Sequence, residues 1–194
     1  MAKATMKQKA GQKNKPKTTT KPKAKSNVKP KATAAKKAAR EAKVEAAVKL
    51  PDLALEVTGG QTVNLARLRG KKVVLYFYPK DMTPGCTLEG HEFSNLGKEF
   101  AARNAVVYGV SRDTVALHEK FKAKECYSVD LISDVDEKLC KAFRVIKDKN
   151  MYGRIVKGIE RSTFLIDENG QVKMAWRGVK AEGHAAQVLE YLKS

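Results

Sequence analysis

The chain has 194 residues, with 39 Lys or Arg against 21 Asp or Glu and a formal net charge of +18. Residues 1–50 carry 16 of the basic residues and two acids, Glu41 and Glu45, whereas all 13 aromatics lie at or after Tyr76. The sequence therefore divides into a basic segment with little to bury and one domain of near-balanced charge. No window reaches the ~18 consecutive apolar residues of a membrane-spanning helix. The opening MAKATMKQKA lacks the apolar stretch of a secretory signal. Three cysteines, Cys86, Cys126 and Cys140, are too few for a disulfide framework in a chain of this size. A reducing, cytoplasmic setting is expected, with nucleoid or nuclear association if the basic segment holds nucleic acid.

Residues 1–40 contain 14 Lys or Arg, no acid, Pro16, Pro22 and Pro30, and no aromatic, Leu or Ile. Such a stretch cannot bury enough apolar surface to offset its ordering entropy. Residues 1–46 are read as a disordered tail and 47–194 as the domain, with the Ala-rich stretch 34–48 as a fraying helix between them. The tail is either a solubilising linker or an arm that holds DNA or another polyanion by counterion release, without sequence readout. Its Lys/Pro/Ala texture resembles linker-histone tails.

In the domain, Leu53, Leu55 and Val57 alternate with Ala54 and Glu56 as a half-exposed strand, followed by the Thr58-Gly59-Gly60-Gln61 turn and a second strand over 62–65. Val73–Tyr78 is an unbroken apolar run stopped by Pro79, the pattern of a strand buried on both faces. Thr83-Pro84 opens a helix, with a hydroxyl at the N-cap and proline at the first position, and Phe93, Leu96 and Phe100 continue at helical spacing. A strand over 106–110, a helix over 113–124 with Leu117 and Phe121 one turn apart, a strand over 130–133 and a helix marked by Val135, Leu139 and Phe143 follow. Segments 162–167 and 172–176 flank the turn at Asp167-Glu168-Asn169-Gly170 as a hairpin, and Val188, Leu189 and Leu192 mark a last helix. The order implies an α/β domain with a thioredoxin-like fold: a mostly parallel central sheet with helices on both faces and an antiparallel edge.

The chemistry concentrates in Tyr78–Glu89, YPKDMTPGCTLE. A buried strand ends, a tight loop turns, and Cys86 enters the first turn of the next helix. There the free N–H groups and the helix dipole favour a thiolate. The residue three after Cys86 is Glu89, so no Cys-x-x-Cys exists, and no Cys/His grouping has zinc spacing. A lone thiolate suits two-electron oxidation to a sulfenic acid. His118 and His184 read as surface side chains, His91 as a solvated residue on the Cys86 helix, Trp176 as packing and Cys140 as structural.

Pro79-x-x-x-Thr83-x-x-Cys86 resembles the peroxiredoxin active-site motif. The longer run FYPKDMTPGCTLE resembles the peroxiredoxin Q/bacterioferritin comigratory protein branch of the AhpC/TSA-like thiol peroxidases, as do Gly109–Asp113, Ser133–Phe143 and Arg161–Asp167. The likeness spans residues 47–194. It implies that Cys86 is the peroxidatic nucleophile, that Thr83 hydrogen-bonds the peroxide, that Arg161 stabilises the thiolate and the leaving oxygen, and that Pro79 shields the pocket. It also implies hydrogen peroxide and organic hydroperoxides as substrates, thioredoxin or a similar dithiol protein as reductant, a role in redox homeostasis, and a monomer or weak homodimer. No metal or other cofactor is expected. The sequence departs from the branch where a resolving cysteine often stands, five residues after the first, because that position is His91. Cys126 on the next helix is the candidate resolving thiol; the alternatives are a packing role for it and a one-cysteine cycle. Two further readings stay open, a nucleic-acid-binding protein with a secondary redox domain and a thiol-independent holdase chaperone.

Overall fold

The computed structural model describes residues 42–43, 48–151 and 153–193. Except for Ala42 and Lys43, the expected disordered tail lies outside the described residues. In chain order the elements begin with β1 (Ala42–Lys43), β2 (Leu55–Val57), β3 (Gln61–Val63), β4 (Lys72–Phe77), α1 (Pro84–Asn95), α2 (Gly97–Ala101), β5 (Ala105–Ser111) and α3 (Val115–Glu125). They continue with β6 (Asp130–Ser133), α4 (Lys138–Ala142), β7 (Ile146–Met151), β8 (Arg154–Ile159), β9 (Ser162–Ile166), β10 (Val172–Arg177) and α5 (His184–Tyr191).

The apolar run Val73–Tyr78 organises everything around it. Successive side chains of a strand point to opposite faces. Val73, Leu75 and Phe77 accordingly join Leu139, Phe143 and Phe164 in one core, while Val74, Tyr76 and Tyr78 join Phe93, Phe100, Phe121 and Leu189 in the other. Helices α1, α2, α3 and α5 contribute to the second core and α4 to the first, so both faces of the sheet are covered.

The strand order is β1-β10-β9-β4-β5-β6-β2-β3, with β7 and β8 as a separate ribbon. Parallel pairing is confined to β4–β5 and β5–β6; the other neighbours run antiparallel. The sheet is thus mixed: the expected parallel character holds at its centre, and the hairpins β2–β3 and β9–β10 make the flanks antiparallel. Ala42 and Lys43, read from sequence as part of an Ala-rich helix, pair instead with Trp176 and Ala175. The open edge of β10 presents unpaired backbone groups that outweigh the modest helical preference of so short a stretch.

Other boundaries moved for local reasons. The second strand stops at Val63, and Leu65–Arg67 forms a 3-10 turn capped by the Asn64 side chain. The run through Phe93, Leu96 and Phe100 is two helices, broken before Gly97. In α3 it is His118 and Phe121 that are buried, while Leu117 is 41 % exposed. Val135 is exposed as well, because α4 begins only at Lys138, where the Asp134 carboxylate accepts the Leu139 and Cys140 N–H groups. The ribbon β7–β8 escaped the periodicity reading because its apolar residues do not alternate cleanly: Ile155 and Val156 are exposed, and only its inner end, Ile146 and Ile159 beside Val145, meets the core. Among the described residues no helix is long and apolar enough to cross a membrane.

His118 and His184 are both buried, which corrects the surface reading. His184 opens α5, with Nε2 2.9 Å from Thr163 Oγ1, Nδ1 3.2 Å from Gln187 Oε1, and its ring edge-on to Phe93 and Trp176. Burial holds its pKa down to about 4 against an ordinary 6.5, so the folded chain keeps it neutral where the unfolded chain takes up a proton. The stability this neutral ring lends is complete above about 6.5 and is lost as the pH falls toward about 4. Urea unfolding of the protein and of His184→Asn should show the stability difference shrinking by up to about 3 kcal/mol across that window. A pH-independent difference would contradict this account.

Candidate active site

Two segments distant in sequence meet at the carboxyl end of β4. The first is the loop between β4 and α1. Tyr78 donates its hydroxyl proton to Asp81 Oδ1 at 2.8 Å, and His118 Nδ1 lies 2.8 Å from Asp81 Oδ2. His118 Nε2 is 3.2 Å from the Ile132 carbonyl, so each ring nitrogen faces an oxygen. The Asp81 N–H donates to Asp113 Oδ2 at 2.8 Å, and the Ser111 hydroxyl donates to the same oxygen. These contacts tie the loop to β5, α3 and β6. Such anchoring holds Met82 at φ 58, a left-handed conformation that costs a non-glycine residue about 1–2 kcal/mol. Thr83 sits at the N-cap of α1 with extended backbone, but its hydroxyl does not cap the helix. It donates to the Lys80 carbonyl at 3.0 Å, which corrects the capping role expected from sequence.

Cys86 is the third residue of α1 and is buried beneath the loop. The second segment brings Arg161 to it. Antiparallel register pairs Phe77, the last residue of β4, with Ser162, so Arg161 stands where the β4 chain turns into the loop. Its backbone is fixed by the neighbouring Glu160 N–H on the Val145 carbonyl and by its own carbonyl, which accepts from the Val179 N–H. Arg161 Nη2 reaches Cys86 Sγ at 3.3 Å, and Nη1 pairs with Glu89 Oε2. Gly85 leaves room for the guanidinium: a Cβ there would lie 3.3 Å from Nη2, inside ordinary contact distance.

Glu89 follows Cys86 by three residues and so shares its helix face. The carboxyl is fully buried, and its Oε1 has no hydrogen-bond partner; the Tyr76 hydroxyl also has none. Burial pushes the Glu89 pKa up to about 7, an effect the adjacent Arg161 only partly opposes. For Arg161 burial works against the charge, and Glu89 and Cys86 more than compensate, so its pKa rises. A guanidinium and the positive end of a helix converge on one sulfur, and both favour negative charge there.

The end of α3 rests against α1. The Tyr127 hydroxyl donates to the Thr87 carbonyl at 2.9 Å, and its ring covers Gly90, where a Cβ would sit 2.5 Å from Tyr127 Cζ. His91 Nε2 lies 3.1 Å from Glu125 Oε2, with the ring edge-on to Tyr127, so His91 bridges helices rather than standing free in solvent. Cys126, between Glu125 and Tyr127, is exposed and left-handed at φ 55.

Of the residues singled out from sequence, Cys86 and Arg161 are in contact. Thr83 and Pro79 lie in the loop before them, Pro79 half-buried. All three cysteines are free thiols. Sequence reasoning missed Glu89, Asp81, His118 and Tyr127. Glu89 had a usable signal, its spacing from Cys86; His118 had none, because Leu117 took the inward position in the periodicity.

Known proteins resemble this chain in sequence and in fold. The model of the AhpC/TSA family matches residues 46–175. Peroxiredoxin Bcp of Xanthomonas campestris is 52 % identical over 154 residues, 77 % of this chain and 96 % of the relative. That of Bacillus subtilis is 47 % identical over 150 residues, again 77 % and 96 %. A solved structure of the X. campestris bacterioferritin comigratory protein, studied for alkyl peroxide reduction, superposes with a TM-score of 0.73 over 77 % of this chain and 98 % of that one. With a buried cysteine held by an arginine on a thioredoxin-like sheet, this chain belongs to the AhpC/TSA family, in its peroxiredoxin Q/bacterioferritin comigratory protein branch of thiol peroxidases.

Proposed function

We propose that this thiol peroxidase reduces hydrogen peroxide and alkyl hydroperoxides at Cys86, resolves the product with Cys126 and is recycled by thioredoxin or a similar dithiol protein. The observation that carries the reading is the 3.3 Å contact between Arg161 Nη2 and Cys86 Sγ at the first turn of α1. The Cys86 thiolate attacks one peroxide oxygen in line with the O–O bond. Because the Thr83 hydroxyl spends its proton on the Lys80 carbonyl, its lone pairs face outward to accept the peroxide O–H and aim the substrate. Arg161 stabilises the charge that develops on the leaving oxygen. Pro79 helps close the pocket to water. The exposed Met82, next to Thr83 in the chain, offers an apolar side chain suited to an alkyl group, in keeping with the alkyl peroxide chemistry of the X. campestris relative.

Resolution joins Cys126 Sγ to the Cys86 sulfenic sulfur and releases water. Both chain neighbours of Cys126 touch α1, Glu125 at His91 and Tyr127 at Thr87, so local unwinding of the α3 end brings the exposed thiol toward the buried one. Its left-handed, non-glycine backbone makes that end prone to open. The alternative of a one-cysteine cycle leaves a stable oxidised monothiol.

The basic segment supplies a second proposed property, tethering to DNA. Its 14 Lys or Arg over residues 1–40, without one acid, suit a polyphosphate and no packed core. In this reading the enzyme stays in the cytoplasm beside nucleic acid and protects it from peroxide.

Three measurements follow from these assignments. Cys86→Ser should abolish peroxide consumption while circular dichroism stays native; turnover at the unmodified rate would end the assignment. Mass spectrometry after one equivalent of peroxide should find a Cys86–Cys126 disulfide, and Cys126→Ser should still form the sulfenic acid yet lose turnover with thioredoxin. DNA titration at several salt concentrations should show binding that vanishes on deletion of residues 1–40 and weakens steeply with salt, and an absence of binding at low salt would remove the tether.

A further inference from the structure

Two acids share one cation beneath the site. Among the described residues, Arg161 is the cation that pairs with Glu89 and the one within hydrogen-bond reach of Cys86 Sγ. A thiolate and a carboxylate together would leave this closed pocket with one uncompensated negative charge, which burial makes costly. The unpartnered Glu89 Oε1 gives a carboxylate no donor, whereas a neutral carboxyl can carry its proton there. The surrounding groups do not relieve the excess. Glu92, one turn further along α1, adds negative charge and itself accepts from the N–H groups of Gly183, the N-cap of α5, and Ala185. Tyr76 from β4 and Tyr127 beyond α3 are held protonated by burial, and His184 on α5 is held neutral. Glu89, at about 7, is the group poised between its two forms near neutrality.

We infer that Glu89 is the internal proton source of the peroxide-reducing step, giving up its carboxyl proton as Cys86 is oxidised. The step balances as Cys86–S⁻ plus ROOH plus Glu89–COOH giving Cys86–SOH plus ROH plus Glu89–COO⁻. An S–O bond forms and the O–O bond breaks, sulfur loses two electrons, and the leaving oxygen takes up one proton as Glu89 loses one. The pocket is neutral before, as thiolate plus guanidinium, and neutral after, as carboxylate plus guanidinium, so oxidation moves no net charge into it. Glu89 does not touch the peroxide: Arg161 gives a proton from Nη2 to the leaving oxygen and recovers one at Nη1 from Glu89, so the guanidinium stays a cation and then holds the new carboxylate alone. The inference rests on the Cys86 peroxidase reading and adds to it where the proton comes from.

The test uses the full chain carrying Cys126→Ser, so that oxidation stops at the sulfenic acid, with and without Glu89→Gln. Infrared difference spectra on adding one equivalent of hydrogen peroxide should show a protonated-carboxyl band lost and a carboxylate band gained, and both changes should be absent with Glu89→Gln. In weakly buffered solution with a pH indicator, below the Glu89 midpoint, the Glu89 protein should take up almost no protons per oxidised Cys86, and the Gln variant about one. An unchanged carboxyl band in the Glu89 protein, which needs no variant to observe, or equal proton uptake in the two, overturns the inference while the peroxidase reading stands. Failure to trap a Cys86 sulfenic acid with dimedone overturns the peroxidase reading itself.

Discussion

The guanidinium of Arg161, set between a thiol and a carboxyl in a closed pocket, is the interaction that the rest of the structure serves. Burying such a cation costs several kcal/mol unless it is paired and hydrogen-bonded. Here its two ends meet Cys86 and Glu89, which one helical turn places on a common face. The cation attracts negative charge on both neighbours, while burial opposes the Glu89 carboxylate. Removal of Arg161 would take the paired cation from both groups at once, so the arrangement is held by electrostatics as much as by packing.

That arrangement demands rigidity around it. Arg161 and Cys86 are 75 residues apart, and the β4–β9 register brings them together by setting Ser162 opposite Phe77. The loop before α1 is tied by Asp81 to Tyr78 at the end of β4, to His118 of α3 and to Asp113 in the loop after β5, contacts that support the strained Met82. The same helix α3 that supplies His118 ends at Cys126. Anchoring of the peroxidatic loop and placement of the proposed resolving thiol therefore depend on one helix, rigid at its buried face and weak at its left-handed end. Opening that end breaks the contacts of Glu125 and Tyr127 with α1 but leaves the His118–Asp81 link, which sits about two turns earlier.

The AhpC/TSA match runs over residues 46–175 and leaves residues 1–45 of the basic segment outside it.

The sequence by itself determined a good deal. An apolar run too long to be one-sided marked β4 as a central strand, Thr83-Pro84 marked the start of α1, and the spacing of Pro79, Thr83 and Cys86 marked the site, because these are local patterns a few residues wide. Arg161 was legible through its family motif. Tertiary structure alone decided the rest. Whether His118 or Leu117 faced inward depended on an acid in a different loop. The β7–β8 ribbon formed from a mixed stretch whose inner end alone, at Ile146 and Ile159, meets the core. The antiparallel flanks of the sheet followed from where hairpins found partners. Glu89 stood in plain view three residues after Cys86, yet its protonation depends on burial and on a guanidinium from another strand, and neither is written in the spacing of one helix.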